Sequence, residues 1–344
     1  MRKVTRLALA ALSSAIGLTA VAIWPAVPAQ AQQLTKVVFS LDFIPLGRHA
    51  PWYAALAEGY YKDEGLDVSI IPSQGGANVI QNVESGTATF GFMGVPEVAI
   101  ARATGAKVKM VAVNYQKLPV AIFSLQSGAN VTTTKQLAGL TLGSGSGSFT
   151  PKILQGLMTQ NGLDPSTLHV VDIAPAARAS ALLTKKVPSI EFFVMAKPGL
   201  EQAAAGVHEK LQTFLPADHG VKLYSNGIGV REDYLAKNPD IAKGFVRASL
   251  KGWQFALAHP DKAAADELKY VPSLKPDVIT AELEIVRALS VTPDVEAHGL
   301  GWFDAAQMKA NLDFVVKYIG VSGTPPAATD LYATGFLPNP PIKP

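Results

Sequence analysis

Strand-like and helix-like patterns alternate along the first third of the chain, and this alternation limits the folds that are open to it. β-branched and aromatic runs alternate with helical spacing of apolar residues. The strand patterns lie at 36–41, 67–71, 87–92 and 108–114, and the helical patterns at 51–60, 76–84 and 96–104. This succession predicts a mostly parallel sheet with helices on both faces.

The same alternation starts again further along the chain. Strands are predicted at 120–125, 139–142 and 168–173, and a helix at 150–160 with Thr150 as N-cap and Pro151 at its first position. Beyond Tyr224 the patterns are helical, at 238–258, 276–289 and 303–318. The sequence therefore predicts two α/β lobes. Lobe 1 consists of 32–118 and 225–344, lobe 2 of 119–224, and the chain crosses near 117–119 and 223–226.

The first 31 residues have the pattern of an export signal. Arg2, Lys3 and Arg6 precede an apolar run at 7–23, and a small-x-small site ends at Ala31. The run is near the lower limit for a membrane anchor, which is the alternative interpretation. We expect cleavage after Ala31 and a periplasmic location, with a signal peptide at 1–31.

Charge and composition exclude several classes of function. Outside the signal the chain has 27 basic and 27 acidic side chains, so it has no electrostatic footprint for nucleic acid or anionic lipid. There is no cysteine, and the six histidines show no metal-binding spacing, so thiol and metal enzymes are excluded. The glycine-rich segment 143–150 matches no catalytic signature. No cofactor is expected.

Loops at the carboxyl ends of the predicted strands carry the candidate ligand-binding residues, because ligands bind there in open α/β sheets. The glycine and serine loop before the helix at Pro151 offers free N–H groups and hydroxyls, or is a surface turn. Asp42 is alternatively a turn residue, Trp52 a core anchor, and Glu97 a partner of its own helix dipole. The candidates are Asp42, Phe43, His49, Trp52, Gly94, Glu97, Gly145, Ser146, Ser148, Phe149, Glu191 and Phe193.

Three segments resemble the NMT1/THI5-like family of periplasmic solute-binding proteins of ABC importers. They are residues 41–53, residues 57–68, which contain G-Y-Y-K-D-E-G-L-D-V, and residues 85–91. The resemblance extends from about 34 to about 320. It implies a type II two-lobed fold with two crossover strands and a monomer that delivers a small molecule to a membrane permease and its ATPase.

Within this family, Asp42, Phe43, Pro45 and His49 look most like the thiamine-pyrimidine precursor binders, where tryptophan usually stands in place of Phe43. The resemblance thus implies a formylaminopyrimidine-type ligand. An alkanesulfonate such as taurine, nitrate or an aromatic carboxylate is the alternative, and a secreted enzyme on the same fold is the hypothesis from another class. The family also contains a pyrimidine synthase, but Met93 lies near the position of its lysine and Glu97 near that of its histidine, so no enzymatic activity is expected.

A planar heterocycle needs apolar faces and a few directed polar groups. We assign Phe43 and Phe193 as stacking faces, and Asp42 and Glu191 as acceptors for ring N–H and amino donors. His49 either contacts the ligand or braces its loop. Gly145, Ser146 and Ser148 are expected at the most polar end of the ligand.

Processing after Ala31 is directly testable. The mature protein isolated from the periplasm of a producing cell should begin at Gln32, because the peptidase cuts after the small-x-small site. Intact-mass spectrometry measures this end. A mature protein that retains Met1 contradicts the interpretation.

Overall fold

The computed structural model describes residues 33–146 and 148–344. The predicted signal segment lies outside these residues, as does Gly147. Among the described residues, no helix combines the length and the apolar character that a membrane crossing requires.

Ten strands form two five-stranded sheets. The strands are β1 (Thr35–Ser40), β2 (Leu66–Ile71), β3 (Phe90–Gly94), β4 (Val108–Val113), β5 (Val120–Leu125), β6 (Thr141–Ser144), β7 (His169–Asp172), β8 (Ser189–Phe193), β9 (Leu211–Phe214) and β10 (Asn226–Arg231). The first sheet has the order β2-β1-β3-β10-β4 and the second the order β7-β6-β8-β5-β9. The chain passes from the first sheet to the second at β5 and returns to the first at β10. Each of these two strands is antiparallel to its neighbours in the sheet. The expected two-lobed fold is thereby confirmed.

Helices cover both sheets. They are α1 (Ala50–Ala57), α2 (Tyr60–Asp63), α3 (Gly76–Glu84), α4 (Val95–Ala103), α5 (Thr150–Gln160), α6 (Pro175–Leu183), α7 (Lys197–Ala205), α8 (Glu232–Lys237), α9 (Pro239–Ala258), α10 (Pro260–Leu268), α11 (Pro276–Ser290), α12 (Pro293–His298) and α13 (Ala305–Phe314). A π-helix (Val315–Ile319) continues α13. Short 3-10 turns include Gly47–His49, which leads directly into α1.

Most element predictions agree with the structure, and the differences have local causes. The strand predicted from Gly139 begins at Thr141, because Gly139 has a φ of 76°, which ends the extended backbone. Thr150 is the first residue of α5 and not its N-cap; Phe149 occupies that position, and the Thr150 N–H donates to the Ser148 hydroxyl. The sequence patterns did not reveal α6, α7, α10 or strands β9 and β10.

The core of the first lobe is aromatic. Trp52 is completely buried, with its ring 4.6 Å from that of Phe39, 5.1 Å from Phe92 and 5.6 Å from Trp253. Aromatic pairs at such distances contribute about 0.5–1.5 kcal/mol beyond the burial of their area. This packing fixes α1 and α9 against the sheet, and with them the loop that precedes α1.

The segment from α13 to the π-helix joins the two lobes. Met308 and Leu312 of α13 belong to an apolar cluster of the first lobe, whereas Phe314 packs with a cluster of the second. The buried side chain of Asn311 accepts from the Tyr224 N–H and donates to the Tyr224 carbonyl, at 3.1 and 2.9 Å. Because Tyr224 lies just before β10, α13 is held against the second crossover.

Candidate functional site

A cleft lies where the strand-end loops of the two sheets meet. Its empty volume is about 660 Å³, including the part open to solvent. Both lobes contribute side chains, because β1, β2 and β3 of one sheet and β6, β7 and β8 of the other direct their carboxyl ends or following loops toward it.

The structure brings seven of the sequence-predicted residues into the lining of this cleft. They are Asp42, Phe43, Glu97, Ser148, Phe149, Glu191 and Phe193. They come from the loop after β1, the first turn of α4, the start of α5 and the end of β8. The carboxyl ends of parallel strands thus provided the correct signal.

Five predicted residues lie outside the lining. Trp52 is in the aromatic core described above, and His49 is buried behind Asp42. Gly94 faces the Glu97 carboxyl, and a Cβ on Gly145 would come within 2.5 Å of the Arg178 guanidinium. Ser146 is exposed, and its N–H donates to Asp172 at 3.1 Å.

Several lining residues were missed by the sequence analysis. They are Leu46, Arg48, Gln74, Gly75, Gly76, Pro96, Leu118, Val120, Thr150, Arg178, Phe192, Ser225 and Asn226. A signal existed for Gly75 and Gly76, which lie in the loop between the strand predicted at 67–71 and the helix predicted from Gly76. No pattern marked Arg178, because it lies within α6, which was not predicted.

A buried ion pair closes one side of the cleft. Nη1 of Arg48 donates to both oxygens of Asp42, at 3.0 and 2.9 Å. Asp42 also accepts from His49 Nε2 at 2.9 Å and from the Asn226 side chain at 3.1 Å. Burial opposes ionisation, but Arg48 and these hydrogen bonds hold the pKa of Asp42 below its usual range. Asp42 therefore already accepts four hydrogen bonds from the protein, and its predicted role as a ligand acceptor is replaced by that of a structural anion.

His49 is held as one neutral tautomer. Its Nδ1 accepts from the Leu46 N–H at 3.0 Å, so the proton lies on Nε2, which donates to Asp42. Complete burial and the neighbouring Arg48 charge lower its pKa to about 4. Of the two roles expected from the sequence, the structure shows the bracing of the loop.

A second ion pair lies on the opposite wall. Arg178 Nη1 is 3.0 Å from Glu191 Oε1, and that oxygen also accepts from the Ser144 hydroxyl at 2.9 Å. Both side chains are at most 2% exposed, yet Arg178 Nη2 and Glu191 Oε2 have no hydrogen-bond partner among the residues that the structure describes. Buried polar atoms without a partner are costly, so this donor and this acceptor are a feature of the cleft wall that calls for an explanation.

Aromatic rings surround these polar atoms. Four phenylalanines line the cleft, at positions 43, 149, 192 and 193. The Arg178 guanidinium lies 5.3 Å from the ring centre of Phe43, and that of Arg48 lies 4.8 Å from the ring centre of Phe193. The site thus combines apolar faces with a few directed polar groups.

Nothing in the described part of the chain forms a metal centre, since no group of three or more His, Cys, Asp or Glu side chains is arranged to hold an ion. The cleft lining that the structure describes includes no lysine, histidine or cysteine. What the arrangement offers is recognition by hydrogen bonding and stacking.

Comparisons with known proteins agree with this arrangement. Residues 47–263 match the NMT1/THI5-like family. A riboflavin-binding protein from Chloroflexus aurantiacus is 28% identical over 89% of this chain and 87% of its own length. A formylaminopyrimidine-binding protein from Halalkalibacterium halodurans is 26% identical over 67% of this chain and 69% of its own length. A 4-amino-5-hydroxymethyl-2-methylpyrimidine phosphate synthase from Legionella pneumophila is 21% identical over 90% of this chain and 94% of its own length.

Solved structures show the same fold. The alkanesulfonate-binding protein SsuA from Xanthomonas axonopodis, bound to MOPS, superposes with a TM-score of 0.69 at 14% identity, over 87% of this chain and 98% of its own. The two sheets and the cleft between them give the chain the two-lobed fold that periplasmic binding proteins have. The chain belongs to the NMT1/THI5-like family, as the resemblance of its first third indicated.

The buried neutral histidine predicts an acid-sensitive fold. The folded-state pKa of His49, about 4, is below the ordinary value of 6.5, so its contribution to stability is complete above about pH 6.5 and is lost as the pH falls toward about 4. Between pH 7 and about pH 4.5 the loss is about 2 kcal/mol. Urea unfolding measures the free energy of unfolding at both pH values. Its decrease between pH 7 and about pH 4.5 should be smaller for His49→Gln than for the wild type.

The matched control is His169→Gln, since His169 is exposed at the start of β7. Its free energy of unfolding should decrease on acidification by as much as that of the wild type. If the free energy of unfolding decreases equally for the wild type and for His49→Gln, His49 is not held neutral in the folded protein.

Proposed function

We propose that this solute-binding protein serves an ABC importer and captures a small, uncharged heteroaromatic compound, with a formylaminopyrimidine-type thiamine precursor as the leading candidate. The observation that carries the proposal is the unpartnered donor and acceptor of Arg178 and Glu191 among the phenylalanine rings. A ring edge that places an acceptor beside an N–H or amino donor satisfies both atoms at once. Aminopyrimidines have such an edge, and so does the pyrimidine-like ring of a flavin.

The charge of the cleft supports an uncharged ligand. Both arginines in the lining are already paired with a carboxylate, at 2.9 and 3.0 Å. An alkanesulfonate or nitrate would have to compete with these carboxylates for the same cations. The relatives named for riboflavin and formylaminopyrimidine point to heteroaromatic ligands as well.

Riboflavin is the second candidate because the relative with that name matches most of both chains. Phe43 and Phe192, with ring centres 5.7 Å apart in an edge-to-face arrangement, form one apolar wall that a single ring or a fused ring system would contact. The two candidates share the recognition chemistry and differ in length.

Binding without turnover is part of the proposal. Relatives named as pyrimidine phosphate synthases share the fold family, and the family resemblance places their lysine near Met93. Here Met93 is completely buried in an apolar cluster of the first lobe. A thioether in that environment has no proton to transfer and no amine for a covalent adduct.

The delivery step would rest on closure of two lobes, 32–118 plus 225–344 and 119–224, around the ligand in a periplasmic monomer. The chain passes between the sheets at 114–119 and 215–225. Two short connections of this kind permit a hinge motion, and only a difference in shape tells a permease whether the binding protein is loaded.

A thermal-shift and calorimetry panel tests the ligand. At about 100 times its dissociation constant a ligand adds about 2.7 kcal/mol, which raises the melting temperature of a chain of this size by a few degrees. We expect a shift with 4-amino-5-hydroxymethyl-2-methylpyrimidine, its formylamino analogue or riboflavin. Glu191→Gln should weaken that binding by about tenfold or more, because it replaces the free carboxylate oxygen.

Glu201→Gln, which changes an exposed glutamate of α7, should bind like the wild type. If taurine, nitrate or benzoate stabilises the protein and the heterocycles do not, the ligand is wrong while the binding-protein function stands.

Closure is tested by small-angle X-ray scattering. The radius of gyration should decrease when the active heterocycle is added at saturation, and the forward scattering should correspond to one chain. Glu191→Gln at the same ligand concentration should respond less. Superimposable profiles with and without ligand would refute the hinge.

A further inference from the structure

The charged residues of the cleft do not balance. Its lining contains three acids, Asp42, Glu97 and Glu191, and two cations, Arg48 and Arg178. Asp42 pairs with Arg48, and Glu191 pairs with Arg178. Glu97 is the lining acid that forms no ion pair with any residue that the structure describes. The described lining therefore has a net charge of about −1 when Glu97 is ionised and is neutral when Glu97 is protonated.

The Glu97 carboxyl occupies a particular place, between the start of α3 and the end of β3. A Cβ on Gly76, the first residue of α3, would overlap it, and so would a Cβ on Gly94. Gly75 precedes α3 with a φ of 139°, a conformation that favours glycine, and it provides no side-chain cap. The backbone N–H groups of Gly94 and of Glu97 itself, at the start of α4, lie beside the carboxyl and favour its ionised form.

This position is the one where an anion would otherwise be favoured. The start of a helix carries unpaired N–H groups and the positive end of the helix dipole. Arg178 Nη2 is buried and has no partner in the described part of the chain, so it adds a further donor in the same cleft. Without the Glu97 charge, the two remaining acids of the lining balance its two arginines, so the cleft no longer repels an anionic solute.

We propose that Glu97 determines specificity as a built-in anion, which lies at the start of α4 and repels anionic solutes, so that the cleft admits them only when Glu97 is protonated. This inference rests on the proposed function of the cleft in binding a solute. Beyond that function, it assigns to Glu97 the selection of solutes by their charge. It also gives the pH range in which this selection changes.

The surroundings of Glu97 set that pH range. Burial, followed by the negative charge of Asp42, raises the pKa of Glu97 to about 7. Asn226 of β10 presents a neutral amide to the same region, while Gly94 and Gly76 present backbone. On α13, which packs against α4, Lys309 and Asp313 are exposed and pair with each other at 2.7 Å. Selection against anions should therefore weaken as the pH falls through about 7.

Calorimetry with methanesulfonate and benzoate, at about pH 6 and about pH 8, tests this. Both probes stay anionic over this range. If the ionised form of Glu97 excludes them, the apparent wild-type affinity follows the protonated fraction and is about tenfold higher at the lower pH. Glu97→Gln, which keeps the shape and removes the charge, should bind at both pH values at least as tightly as the wild type does at about pH 6.

Glu284→Gln is the matched control, since Glu284 is exposed on α11 and does not line the cleft. It should retain the wild-type pH dependence. The proposal is overturned if Glu97→Gln gains no affinity for either anion over the wild type at about pH 8. The wild-type pH profile decides the matter by itself if the variant fails to fold, and a flat profile then overturns the proposal.

The same experiment separates this inference from the function on which it rests. If no uncharged heterocycle binds the wild type but Glu97→Gln gains anion binding, the proposed ligand fails and the role of Glu97 stands. If a heterocycle binds the wild type and the variant gains no anion binding, the ligand stands and the role of Glu97 fails.

Discussion

The buried pair of Asp42 and Arg48 connects the parts of the chain that build the cleft. Asp42 follows β1, and it accepts from Asn226 at the start of β10, which returns from the second lobe. The backbone N–H of Arg48 donates to Glu282 of α11 at 2.9 Å, so the C-terminal helices hold the same loop. Removing one partner of such a pair leaves an uncompensated buried charge, which costs about 3–5 kcal/mol. The pair therefore fixes the wall of the cleft before any ligand arrives.

The electrostatics of the site follow from this pairing. With Arg48 and Arg178 each paired with a carboxylate, the cleft presents individual unpaired atoms and aromatic faces rather than net positive charge. Glu97 is then the lining acid that pairs with no cation among the described residues. On the proposals made above, the cleft distinguishes solutes by charge first and by the hydrogen-bonding pattern of the ring edge second.

The helical C-terminal part of the chain connects the cleft to the hinge. The two hydrogen bonds of Asn311 tie α13 to Tyr224, just before β10, while Phe314 and Ile319 pack toward α5 in the second lobe. A motion of the lobes about the crossovers must therefore be accommodated at α13 and the π-helix. Such π-helical turns occur often at functional positions.

The sequence by itself determined the two α/β lobes, the crossovers and the loops that face the cleft, because hydrophobic periodicity and glycine and proline positions are local properties of the chain. Phe43, Glu97, Ser148, Phe149, Glu191 and Phe193 were found in this way. Only the tertiary structure decided that Trp52 belongs to the core, that Asp42 and His49 brace their own loop, and that Arg48 and Arg178 line the site. The reason is physical: whether a carboxylate is free for a ligand depends on the cation that packs beside it. Arg178 is brought to Glu191 by the pairing of β6, β7 and β8 and by the packing of α6, neither of which is encoded in any short segment.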